Sequence, residues 1–117
     1  MDYTFPKDFW WGASASGPQT EGRFAGDGKG DNNWDYWYQQ EPEKFFDGVG
    51  PDVASQVYTK YQEDIALMKE IGHNSFRTSI QWSRLIPAGT GAVNPEAVKF
   101  YNAYIDELIA NDIEPFI

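Results

Sequence analysis

Gln19, Glu21 and Arg77 are the residues whose types and positions in this chain could do chemistry. The first two close the stretch Phe9 to Gly22, FWWGASASGPQTEG, in which three large aromatics run into six small residues. Small residues let backbone and ligand approach closely. A strand that sheds its bulk just before two polar side chains has the form of a pocket floor; the alternative is a buried strand running into a polar turn. Gln19 offers one acceptor and two donors, suited to bidentate contact with neighbouring hydroxyls, or to capping loop backbone. Glu21 has the type of a general acid. Glycosidic cleavage, however, needs two carboxylates in a fixed relation, and no such pair is visible here.

Arg77 lies in the alternating segment Ser75 to Trp82, a strand whose two faces should both be covered. A buried guanidinium is tolerated only when paired, so Arg77 calls for a carboxylate from another strand. Two roles fit that pairing: holding and ionising a catalytic carboxylate, or a structural ion pair. Other chemistries fall away. Gly28-Lys29-Gly30 lacks the spacing and the Ser/Thr of a phosphate loop. Asp27 to Tyr38 has Asn32 and Tyr38 where a calcium loop needs Gly and Glu. His73, the sole histidine, follows a helix and reads as a turn residue, so no metal site or histidine triad is expected.

The elements that must position these groups follow from periodicity. Residues 9–16 read as a strand, and the polar stretch Gly22 to Asn33 as a loop. The cluster Trp34, Tyr36, Trp37, Tyr38 opens a short helix that ends by Pro42. A long helix is expected from Asp52, its N-cap, to Ile71, with Gly72 as the stop. Its apolar stripe is Val53, Val57, Tyr61, Ile65, Met68 and Ile71. In Ser75 to Trp82, the alternation places Phe76, Thr78, Ile80 and Trp82 on one face. Asn94 with Pro95 starts a second helix, striped by Val98, Tyr101, Tyr104, Ile105, Leu108 and Ile109. Ile113 to Ile117 begins a further strand. Strands alternating with helices point to parallel βαβ units.

A net charge of −9 and a pI near 4.3 argue against nucleic acid and anionic membrane surfaces as partners. No segment approaches the roughly 18 apolar residues of a membrane span, and the N-terminus has no signal-like run. The chain has no cysteine, which excludes disulfides and favours a reducing compartment; a cytoplasmic location is expected. Aromatics make up 17% of the residues, enough to fill a core and to leave rings for stacking on sugar C–H faces. Parallel sheets need cover and an unfinished one leaves a sticky edge. Because the chain stops on the apolar strand EPFI, residues 1–117 are read as the incomplete first part of one larger α/β domain. As an isolated piece it is expected to be inactive and to unfold without cooperativity.

FWWGASASGPQTEG resembles the N-terminal signature of glycoside hydrolase family 1. GKGDNNWDYW, YQEDIALMKEIG, FRTSIQWSRLIP and NPEAVKFYNAYIDELIANDIEPFI match further segments of that family in the same order. The resemblance spans essentially the whole chain. It implies the opening quarter of a (β/α)8 TIM barrel, with about three strands and two main helices. It also implies retaining hydrolysis of β-glycosides by two glutamates, on a Thr-x-Asn-Glu-Pro and a Glu-Asn-Gly motif, neither of which is in this chain. By the same resemblance Gln19 binds hydroxyls of the glycone, Arg77 pairs with the nucleophile carboxylate, and Glu21 is no catalyst. No cofactor and no metal are implied. Pro18 departs from the aromatic, His or Asn common before this Gln, and the GPQTEG form is most similar to the cytoplasmic 6-phospho-β-glucosidases of the family. Gln56 replaces an Asp often found there. A phosphorylated β-glucoside substrate is therefore expected, with the rest of the barrel as structural partner. The alternatives are an unphosphorylated β-glucosidase or β-galactosidase, and a catalytically silent sugar-binding relative.

Overall fold

A computed structural model describes residues 2–117. Three short parallel strands, β1 (Gly12–Ser14), β2 (Ser75–Arg77) and β3 (Glu114–Phe116), form one sheet in that order. Gly12, Ala13 and Ser14 pair with Ser75, Phe76 and Arg77, which pair in turn with Glu114, Pro115 and Phe116. Gly12 is required by this register, because a Cβ there would collide with the Ser75 carbonyl. Between β1 and β2 lie the one-turn helix α1 (Gly17–Thr20), α2 (Asn33–Gln40), two 3-10 turns and α3 (Val57–Glu70). Between β2 and β3 lie the one-turn α4 (Trp82–Leu85) and α5 (Pro95–Ala110).

The core is the seam where α3 and α5 pack against each other and the sheet. Ile65, Phe76, Phe100, Tyr104, Leu108 and Ile113 are buried there. Asn94 caps α5 through its side chain, which accepts from the Glu96 N–H, and Pro95 sits in the first turn as the sequence predicts. The buried stripe of α5 is rotated slightly from the expected one. Ala97 and Phe100 are inside, while Val98 and Ile109 are exposed. Gly72 follows the end of α3 with φ +88°, a conformation open to glycine at little cost.

Three expected boundaries move. The first strand, expected over residues 9–16, narrows to Gly12–Ser14. The helix expected from Asp52 starts at Val57, because residues 51–55 form turns and the Asp52 carbonyl is taken by the Arg23 N–H at 2.8 Å. Gln56 is the N-cap, left-handed at φ 58° and without a side-chain cap bond. The strand expected to reach Trp82 ends at Arg77. Beyond it the Gln81 N–H is satisfied by the Tyr101 hydroxyl at 2.8 Å instead of a neighbouring strand, and Trp82 opens α4. The anticipated apolar face therefore breaks: Thr78 is buried, Ile80 and Trp82 are exposed, and Gln81 is buried.

Candidate sugar-binding site

The polar residues singled out above gather at the C-terminal end of the sheet. Ala15 continues β1, donating its N–H to the Arg77 carbonyl at 2.9 Å, and α1 follows at once with Gln19 exposed on it. The Gln19 Oε1 accepts from Ser16 Oγ at 2.8 Å, while its Nε2 makes no hydrogen bond among the described residues. Gln19 faces a cavity of about 300 Å³ whose walls include Pro18, Trp34, Phe45, Val49 and Pro51. Trp34 is placed by α2, whose start is secured by a reciprocal cap: Asn32 accepts from the Trp34 and Asp35 N–H groups, and Asp35 accepts from the Asn32 N–H. Free amide donors beside an aromatic-lined hollow suit a ligand with hydroxyls and apolar faces.

Arg77 does not occupy the buried position expected of it. It is exposed, touches the Ala15 carbonyl at 3.4 Å, and forms no ion pair among the described residues. The physical reason is topological. Phe76 points into the helix-covered core and Arg77 to the opposite side of a three-stranded sheet, where no further strand lies among the described residues.

The buried guanidinium is Arg84, which sequence reasoning does not single out. It is fully buried in α4; its Nε donates to Glu21 at 2.6 Å, Nη1 to Asp27 at 2.9 Å and Nη2 to the Gly22 carbonyl at 2.5 Å. Tyr58 stacks on the guanidinium at 4.4 Å. Burial alone would lower the Arg84 pKa, but the hydrogen bonds and charges of Glu21 and Asp27 reverse this and hold it above its ordinary value. Glu21 is spent inside the protein: besides Arg84 it accepts from Gln81 Nε2 at 3.0 Å and Tyr101 Oη at 2.8 Å. A carboxylate with those three donors does not face the cavity as an acid. A second buried pair, Lys29 with Asp35, holds the loop before α2. The signal available in the sequence is a lone cation amid Ile80, Trp82, Leu85 and Ile86, with Glu21 and Asp27 among the three acids of the stretch after Gln19.

Burial raises the Asp27 carboxyl pKa, but the Lys29 and Phe24 backbone N–H groups and the Arg84 guanidinium more than offset it, so the net shift is downward. A carboxyl depressed in the folded state stabilises the fold above its unfolded pKa, and that contribution is lost as pH falls through the folded value. Acid unfolding of the full-length protein should therefore steepen below about pH 4, the ordinary aspartate range. Asp27→Asn should remove part of that dependence, which urea midpoints at neutral pH and at about one unit below that range would measure.

A parallel βαβαβ unit with strands adjacent in chain order, presenting polar side chains beyond their C-terminal ends, has the form of a portion of a (β/α)8 barrel, the fold in which active sites sit at that end. The sequence pattern of glycosyl hydrolase family 1 matches residues 1–117, and the chain belongs to that family. It is 66% identical to the 6-phospho-beta-glucosidase GmuD of Bacillus subtilis (strain 168), over 98% of this chain and 25% of that protein. Beta-glucosidase 17 of Arabidopsis thaliana is 48% identical over 97% of this chain and 22% of its own. Among solved structures, aphid myrosinase superposes with a TM-score of 0.89 at 43% identity, over 97% of this chain and 25% of its own. The family 1 β-glucosidase from Thermotoga maritima superposes with a TM-score of 0.85 at 38% identity, over 96% and 25%. The chain thus spans about a quarter of the length of these relatives. Among the described residues, no helix is long and apolar enough to cross a membrane.

Proposed function

We propose that residues 1–117 are the N-terminal quarter of a retaining β-glycosidase that hydrolyses 6-phospho-β-glucosides. The observation that carries this is the 66% identity to a relative named a 6-phospho-beta-glucosidase, against 48% to one named a beta-glucosidase. The GPQTEG form of the first segment supports the same choice. In this reading Gln19 binds glycone hydroxyls with the Nε2 donor it leaves free. Arg77 pairs with the nucleophile carboxylate, which comes, like the acid/base, from chain outside these residues. The two carboxylates stand roughly 5–5.5 Å apart, close enough for a covalent glycosyl-enzyme that water then hydrolyses. The remaining strands of the barrel cover the Arg77 side of the sheet, and a cytoplasmic site suits a sugar phosphorylated on uptake. An unphosphorylated β-glucoside or β-galactoside substrate is the second reading, favoured by the free-sugar enzymes among the relatives. A catalytically silent sugar-binding barrel is the third.

Gln19→Ala in the full-length enzyme tests the site. Removing the hydrogen bonding that Nε2 makes in the transition state costs about 1–3 kcal/mol, or about 5- to 150-fold in kcat/KM on an aryl 6-phospho-β-glucoside. Unchanged kcat/KM would remove Gln19 from the site, and no turnover by the wild type would favour the silent barrel.

A further inference from the structure

Helix α1, which carries Gln19, is a single turn of four residues whose N-cap, Ser16, makes no side-chain cap bond. One turn of helix does not hold itself in water, so its position must come from its surroundings. Those surroundings grip both ends. At the front, Gly17 donates its N–H to Ser79 Oγ at 3.2 Å. The same glycine lies so close beneath that a Cβ would stand 2.7 Å from Glu21 Oε1 and 2.8 Å from Gln81 Cβ. At the back, Glu21 closes the turn through its N–H to the Gly17 carbonyl, and its carboxylate is held by Arg84, Gln81 and Tyr101. The next residue, Gly22, gives its carbonyl to Arg84.

Gln81 links the segment that carries Gln19 to the one that carries Trp34. Its Nε2 donates to Glu21, two residues from Gln19, and its Oε1 accepts from Asn32 Nδ2 at 2.9 Å. Asn32 is the cap of α2, on which Trp34 stands. A buried network of this kind transmits a displacement at one member to the groups it holds.

We propose that Arg84, Gln81 and Tyr101 are positioning residues for glycone recognition, acting through Glu21 to fix the turn that presents Gln19. The proposal rests on the reading of Gln19 as a glycone contact. Tyr101→Phe removes one donor to Glu21 and the acceptor of the Gln81 N–H without changing the ring's shape, and Gln81→Met removes a different donor to Glu21 together with the acceptor of Asn32 Nδ2.

Two measurements on the full-length enzyme test it. In a double-mutant cycle on an aryl 6-phospho-β-glucoside, Tyr101→Phe should lower kcat/KM by about tenfold in the wild type and by less than about twofold beside Gln19→Ala. Amide hydrogen exchange of residues 19–22 should speed up by about tenfold or more in Tyr101→Phe, with helix α5 unchanged. Gln81→Met should behave the same way and serves if Tyr101→Phe does not fold. Wild-type exchange rates in the turn would overturn the proposal whatever the kinetics. Equal fold-reductions in both backgrounds would also overturn it, while leaving Gln19 as a glycone contact. If Gln19→Ala alone has no effect, the glycone reading fails and recognition is removed from the proposal, with faster exchange then marking a mechanical anchor only.

Discussion

Arg84→Met in the full-length protein should lower stability by about 3–5 kcal/mol, the usual loss when one partner of a buried ion pair is removed. The side chain is fully buried and serves two carboxylates and a carbonyl at once. Methionine fills a comparable volume, so the loss comes mainly from leaving Glu21 and Asp27 without a counter-charge. Against a total of about 5–15 kcal/mol, this decides whether the protein folds at all. Urea unfolding midpoints, or thermal inactivation rates where unfolding is irreversible, measure it. Adding Glu21→Gln and Asp27→Asn to Arg84→Met should recover part of the loss, because the buried charges leave together. A single variant within about 1 kcal/mol of wild type would contradict this role for Arg84.

Arg77→Met in the full-length enzyme should act chiefly on rate. Within these residues its guanidinium is exposed and held only by the Ala15 carbonyl at 3.4 Å, so little of this segment's own packing rests on it. On the proposed pairing with the nucleophile carboxylate, the substitution removes a charge-assisted bond of about 1.5–3 kcal/mol, which lowers kcat by about 10- to 150-fold. The carboxylate's pKa should then rise, since an adjacent cation favours the ionised form. The acid limb of the kcat/KM profile should accordingly move to higher pH. A near-normal rate with an unmoved acid limb would make Arg77 a structural residue.

The contrast between these two arginines shows what the sequence makes legible. A buried guanidinium does need carboxylates, but alternation over Ser75 to Trp82 suggests a long covered strand and so points to Arg77. Within these residues the requirement is met at Arg84, whose acceptors lie 57 and 63 residues earlier. Separation of that kind leaves no periodic trace. Local signals fare better. Asn94-Pro95 marks its helix start because capping and proline geometry act within one turn, and Gly72 marks a stop for the same reason. Asp52 after Pro51 carries the same local signal and misleads, since tertiary demand on its carbonyl keeps the segment in turns. Gln19 stands out through the small-residue run before it. The grip that fixes its turn does not, because Gln81, Tyr101 and Arg84 meet Glu21 only once the sheet and α5 are assembled.

Phosphorylation of the glucose is the feature that separates the proposed substrate from those of the free-sugar relatives. It is tested by kcat/KM of the full-length enzyme on two aryl β-glucosides that differ only in a phosphate on the glucose 6-hydroxyl. A site built for a charged group rejects the analogue that lacks it, because its buried polar partners are then left unpaired. At least about a 10³-fold preference for the phosphorylated substrate is expected, given that hydrogen-bonding sites discriminate by about 10⁴–10⁵. Equal turnover, or preference for the free glucoside, would contradict the assignment of a 6-phospho-β-glucosidase.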